Sequence, residues 1–381
     1  MRIMHVIPGD NFTEGMTYQD NFLASLNKKD GHEVMILSSC RTWQNSKVVY
    51  THVEDRIMDD GVRLKRLPYK NILHSKLSEK LRILKGASQV IEEFKPDVIR
   101  VLNPHNLTIP IVVKYKRKHP NTKIYIDSHQ EFFNSAIGLL SYWVFHKMLI
   151  RTMILKNIRH IDKVFYCQEG TRLFLRKMYS VPEDKLEHYP MGGLIYDDTV
   201  REHLNQKVRK SLGIGNSEIV FIHSGKMFES KKTKEILEAF LEVEDSRLRL
   251  LLIGSIPEEM RGVLMPLIEK DNRVQFLGWK NGDELMELLC AGDVYLQPGS
   301  ASVTVIQALC CENAVVVSPS IVGYDMLMDE SGWYAGSKDE LLSVFGQIIK
   351  KPGLVKEYKS NALRLAKRRF DYVRLARRLY S

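Results

Sequence analysis

The residues best suited by type and spacing to do chemistry lie close together in one stretch of the chain, FIHSGKMFESKKTKEILEAF (221–240). Gly225 and Lys226 follow the apolar run Val220-Phe221-Ile222, and Lys231 comes five residues after Lys226. A glycine lets backbone approach a ligand closely, and the free N–H groups of a helix's first turn attract anions. Ile236, Leu237, Ala239 and Phe240 mark the inner face of the helix that follows. Two cations between a strand and such a helix suit a diphosphate. Taken alone, the pattern equally describes a surface turn with solvated lysines.

Two histidines are further candidates. His129 follows the run IYID and His105 sits in NPHN, each just past an apolar strand-like segment, with Glu131 two residues beyond His129. They can line a ligand cleft or serve as structural strand-end residues. The acidic pairs Asp59-Asp60 and Asp197-Asp198 lie in polar loops and read as solvated surface, so no metal is expected. Five cysteines (Cys40, Cys167, Cys290, Cys310, Cys311) form no C-x-x-C pair and read as reduced, buried thiols of a cytoplasmic protein. Neither G-x-S-x-G nor G-x-G-x-x-G stands in a useful place, which argues against hydrolase and nicotinamide-dehydrogenase chemistry.

The elements that must position these groups follow from periodicity. Apolar runs predict strands at 3–7, 33–37, 98–101, 123–126, 163–166, 219–223, 249–253, 274–276, 294–297 and 314–317. Helical periodicity fills the gaps, for example at 18–26, 78–94, 283–290 and 303–311. Strands alternating with helices imply parallel sheets built from βαβ units. The pattern occurs twice in 381 residues, with a break near Pro190-Met191-Gly192-Gly193. The expected fold class is α/β: two Rossmann-like, doubly wound domains (1–190 and 191–365) facing a central cleft where strand C-terminal ends hold ligands.

The N-terminus MRIMHVIPGD reads as a first strand, since Pro8 and Asp10 interrupt any signal-peptide core. No run of eighteen apolar residues is present, so no membrane span is expected. The net charge is +10, of which +7 falls between Lys356 and Ser381. A basic tail helix argues against a nucleic-acid groove spread over the fold and suits an anionic lipid surface, an acidic partner, or plain solvation. At 139–161, LLSYWVFHKMLIRTMILKNIRHI interleaves apolar and aromatic residues with Lys147, Arg151, Lys156 and Arg159. Such a helix either packs into its domain or lies on a membrane surface, for a cytoplasmic protein the inner face of the plasma membrane.

In order along nearly the full length, these segments resemble the retaining, nucleotide-sugar-dependent glycosyltransferases of family 4, whose fold is GT-B. In that family a Gly-Arg-x4-Lys loop grips the donor diphosphate; the matching residues are Gly225, Lys226 and Lys231. Lys for Arg keeps the charge and loses the planar fork. The opening HVIPGDNFTEGMTYQDNFLASLNKKDGHEVMIL resembles the family's first strand, glycine loop and helix, with Gly15 at the second loop glycine and Glu14 in place of the first. His129 matches the histidine that faces the donor sugar. HYPMGGLIYD corresponds to the crossing between domains, and RRFDYVRLARRLY (within 366–381) to a last helix returning to the first domain. LLIGS and RVQFLGW resemble segments around the nucleobase, near Gly278 and Trp279.

The main departure lies in DVYLQPGSASVTVIQALCCENAVVV, where the family places Glu-x7-Glu. In register this chain has Gly299 and Gln307, with Ser300, Ala301 and Ser302 between them. Gln307 can still accept from a ribose hydroxyl, without the charge assistance of a carboxylate. Loss of the first carboxylate implies either a different donor sugar or weakened catalysis. The resemblance thus implies metal-independent transfer, with retention, from a UDP- or GDP-linked sugar to a lipid-linked or surface-polysaccharide acceptor, without a cofactor. His129, Lys226 and Lys231 are the expected catalytic groups, with His105 and Glu131 toward the acceptor. The alternative is a nucleotide-sugar-binding scaffold.

Overall fold

The structure, a computed structural model, describes every residue of the chain except Thr17, Asn45, Ser46 and 322–329. The chain divides into two units, Met1–Pro190 with Tyr372–Ser381, and Met191–Asp371.

The strands of the first unit are β1 (Arg2–Ile7), β2 (Glu33–Ser39), β3 (Arg41–Gln44), β4 (Lys47–Tyr50), β5 (Glu54–Ile57), β6 (Arg63–Leu67), β7 (Val98–Leu102), β8 (Lys123–Ser128), β9 (Lys163–Tyr166) and β10 (Leu186–His188). Eight of them form a sheet in the order β10-β9-β8-β7-β1-β2-β6-β5, parallel except for the β5 edge, while β3 and β4 pair as an antiparallel ribbon. Central strands such as β7, VIRVL, are buried along their whole length because helices cover both faces. β5 and β6 escape apolar periodicity because charge pairs carry them: Asp55 binds Arg63 at 2.7 Å and Lys65 at 2.9 Å. Charged edge residues also discourage pairing with another chain.

The second unit contains β11 (Ile219–Lys226), β12 (Leu248–Ser255), β13 (Val274–Gly278), β14 (Val294–Gln297), β15 (Ala314–Val317) and β16 (Gly332–Tyr334). They form one parallel sheet in the order β13-β12-β11-β14-β15-β16.

Two expectations change. The helix expected over 78–94 is two helices, Ser75–Leu81 and Ala87–Phe94, because Arg82 (φ 54°) and Gly86 (φ 87°) turn the backbone left-handed between them. The basic C-terminal stretch is likewise divided. Helix Gly353–Arg369 belongs to the second unit, where Lys359 reaches Asp293 at 2.6 Å. Phe370 packs in that unit's core, and the amide of Gly193 donates to its carbonyl at 2.8 Å. The returning helix is Tyr372–Arg377, with Tyr372 stacked on Phe22 at 4.9 Å and the Leu375 carbonyl accepting from the Tyr189 hydroxyl at 2.7 Å. Arg377 pairs with Asp30 at 3.1 Å and Arg378 with Glu187 at 2.6 Å.

Candidate functional site

In the second sheet the strand order reverses at β11, which has β12 on one side and β14 on the other. Ligands of doubly wound sheets bind at the strand C-termini beside such a reversal. β11 ends there in Ser224-Gly225-Lys226, paired in register with Ile253-Gly254-Ser255 of β12. A Cβ on Gly254 (φ +136°) would stand 1.9 Å from the Gly225 carbonyl oxygen, so only glycine permits this approach.

After β11 a short turn, Glu229–Lys231, leads to helix Thr233–Leu241. Lys231 is half-buried, its Nζ 3.8 Å from where a Gly225 side chain would begin. Burial holds its ammonium below the usual lysine pKa. Among the described residues no carboxylate pairs with it or with Lys226, which is exposed and lies 4.5 Å over the Phe228 ring. A desolvated cation without a counter-ion is electrostatically unfavourable until an anion arrives. Lys232 donates to the Gly336 carbonyl. Lys234 reaches Glu238 at 3.6 Å.

The loop after β14 lies directly against this turn. A Cβ on Gly299 would fall 2.2 Å from the Ser230 carbonyl oxygen and 2.8 Å from Lys231 Cα. The Ser300 amide donates to Ser230 O at 2.9 Å. No carboxylate fits at 299, so its absence is a packing requirement of this loop. Beneath it, Ser224 Oγ and the Tyr295 hydroxyl are 2.9 Å apart, and Gln297 Nε2 donates to Ser300 O. His223 is fully buried, its Nδ1 2.8 Å from Leu296 O and its Nε2 2.9 Å from Thr233 Oγ1. A carbonyl only accepts, so Nδ1 carries a proton. Burial above all, with the Lys231 charge, pushes its pKa down to about 4.

Ala301 is exposed, and Ser302 Oγ lies 3.3 Å from Thr304 Oγ1 just before helix Thr304–Cys310. Gln307 is half-buried on that helix, its Cα 3.6 Å from the side-chain position of Gly193 in the crossing segment. Gly278 (φ +69°) ends β13 opposite Ile253, and the Trp279 indole after it is 73% exposed. Gly225, Lys226, Gly278, Trp279 and Gly299 to Ser302 therefore share the C-terminal edge of one sheet.

The remaining candidates lie at the corresponding edge of the first sheet. Gly15 (φ +70°) has nothing within 4 Å of its missing side chain, and the adjoining Glu14 pairs with Arg56. His129 Nε2 is 3.4 Å from Asp127 Oδ1, and its amide donates to Asn103 Oδ1 at 3.0 Å. Asp127 in turn holds the fully buried Arg100, which also donates to Asp20 at 2.6 Å. His105 Nε2 contacts the Arg82 guanidinium, and burial with the Arg82 charge pushes its pKa well down. Glu131 serves helix Glu169–Tyr179: it accepts from Gln168 Nε2 and, at 3.3 Å, from Thr171 Oγ1. Among the described residues no three His, Cys, Asp or Glu side chains converge on a metal-sized position.

Sequence reasoning passed over Arg100, Asp127, Ser224, Tyr295 and Gln297. Arg100 carried a signal: a lone charge inside VIRVL must find buried partners.

Residues 218–350, most of the second unit, match the family model described as glycosyl transferases group 1. That segment of the chain is similar to the group 1 glycosyltransferases. It is 22% identical to an uncharacterized glycosyltransferase of Methanocaldococcus jannaschii, over 63% of this chain and 59% of that relative. The chain thus spans somewhat under two thirds of the length of the curated relative it matches. Among solved structures, HepE of Anabaena in complex with UDP aligns over 100% of this chain and 98% of its own, with a TM-score of 0.67 and 15% identity. WaaG, a glycosyltransferase involved in lipopolysaccharide biosynthesis, aligns over 100% of both chains at a TM-score of 0.61 and 15% identity. The chain has the GT-B fold of these structures.

Proposed function

We propose that this chain is a glycosyltransferase that moves a sugar from a nucleotide diphosphate sugar, UDP-linked, to a lipid-linked or surface-polysaccharide acceptor. The carrying observation is Lys231, half-buried at the reversal of the second sheet without a carboxylate partner among the described residues. A donor diphosphate supplies the missing anion, and Lys226 adds a second charge at its open side. Preorganised cations of this kind stabilise the leaving nucleoside diphosphate without a metal. Trp279 offers its exposed indole to the base, and Gln307 reaches the ribose. The UDP-bound state of the Anabaena structure supports the choice of nucleotide, and the lipopolysaccharide role of WaaG supports the class of acceptor. Transfer proceeds with retention, and His129, beside Asp127, is the histidine that the family resemblance assigns to the donor sugar.

The test is incubation with radiolabelled UDP- and GDP-sugars and lipid-linked acceptors, with and without EDTA. Product anomers are then read by NMR. Transfer from a UDP-sugar, unaffected by EDTA and with the donor's anomeric configuration, is the expected result. An absence of transfer from every donor by folded protein would sink the reading. Gly299 favours a second reading: with no room for a carboxylate there, the site holds a nucleotide sugar as a scaffold. Calorimetric UDP binding without turnover would select it.

A further inference from the structure

We infer that the first unit docks on an anionic lipid bilayer through the helical segment that follows β8. Ser141–Ile150, wound as a π-helix, continues into helix Arg151–Asn157. One side of the segment is buried: Phe145, His146, Ile150, Met153 and Ile154 pack into the unit, with His146 Nδ1 2.7 Å from the Tyr179 hydroxyl. A soluble helix anchored in this way normally turns polar groups outward. Here the outer side is also apolar: with the whole chain present, Leu139 is 80% exposed, Leu140 78% and Trp143 59%, and Ile137, Val144 and Met148 are exposed as well. A contiguous apolar face of this kind marks an interaction surface.

Charge selects the occupant. From Phe132 to Ile161 the chain has no Asp or Glu, while Lys147, Arg151, Lys156 and Arg159 are interleaved with the apolar residues. A groove of about 470 Å³ runs along the segment, its apolar walls Trp143, Val144, Met148 and Leu155, with Lys147 and Arg151 at its side. Apolar and aromatic side chains flanked by cations alone suit the headgroup–acyl boundary of an anionic leaflet, where each basic residue adds attraction. No helix among the described residues is long and apolar enough to cross a membrane, so the contact proposed is with the surface. The C-terminal arginines contribute less, because Arg377 and Arg378 are paired with Asp30 and Glu187. The inference stands apart from the transfer reaction, since a scaffold with the same face would dock equally.

Flotation of the full chain with vesicles tests it. The protein is expected to float with equal parts phosphatidylglycerol and phosphatidylcholine, with the bound fraction about tenfold lower on phosphatidylcholine alone or in high salt. The double variant Leu140→Asp, Trp143→Ser alters only exposed positions and is expected to remain unbound while its thermal melt is unchanged. Equal binding to both vesicle types, or none to the anionic ones, would overturn the inference. So would a concentration-dependent dimer in light scattering that the double variant abolishes, since the face would then belong to a second copy.

Discussion

His129 Nε2 stands 3.4 Å from Asp127 Oδ1, while the other oxygen of that carboxylate is held by the buried guanidinium of Arg100. One carboxylate is therefore shared between a cation that does not titrate and one that does. Burial by itself would lower the His129 pKa, but the attraction of Asp127, with a smaller contribution from Asp20, carries it above the ordinary value. The geometry favours the imidazolium form of His129 at the edge of the first sheet.

Asp127→Asn removes that support, and the His129 pKa is expected to fall, as read by NMR titration of the ring. A raised folded-state pKa gives stability that is complete below the unfolded value, about 6.5, and is lost as pH rises through the folded value. Urea unfolding should show this alkaline loss in the wild type and its absence in the variant. An unchanged His129 titration would rule the pairing out.

Lys231→Ala takes away the half-buried cation beside Gly225. Transfer should drop by on the order of 10²-fold, as when one preorganised electrostatic contact is lost. Because Lys226 is exposed, Lys226→Ala should have the smaller effect. Comparable losses in the two variants would reverse their assigned ranks.

Gly299→Ala places a Cβ 2.2 Å from the Ser230 carbonyl, so backbone must move. Overpacking of this kind typically destabilises by about 1–3 kcal/mol, visible as a lower melting temperature, and the displaced Lys231 should weaken UDP binding in calorimetry. Gly299→Glu should fare worse still and restore no activity. A gain in turnover in that variant would refute the packing argument.

His223 predicts an acid limb. With its pKa pushed down to about 4, the folded chain refuses a proton that the unfolded chain accepts below about 6.5. Stability should therefore fall as pH drops between those values, by on the order of 3 kcal/mol. His223→Gln should flatten the limb without abolishing it, since the buried His5 is pushed down to about 3 and acts in the same sense. An unaltered limb in the variant would exclude His223 as its source.

The alternation of apolar runs with helical periodicity was enough to place ten strands in two parallel sheets and the break after Pro190, because buried parallel strands read as continuous Val, Ile and Leu. The strand–loop–helix unit that carries Gly225, Lys226 and Lys231 was likewise legible, since a loop between strand and helix keeps its spacing in any fold. β5 and β6 were not legible, because cross-strand ion pairs rather than burial hold them. Nor was the single apparent helix over 78–94 readable as two, for its break rests on left-handed turns at Arg82 and Gly86.

Local sequence therefore determined the strand–loop–helix units and the residue types each presents. Tertiary structure decided what those residues face: which carboxylate holds His129, why 299 must be glycine, and that the outer side of 139–155 is bare. Those answers depend on atoms brought together from distant points in the chain, and desolvation and close packing act between such atoms without regard to their spacing in sequence.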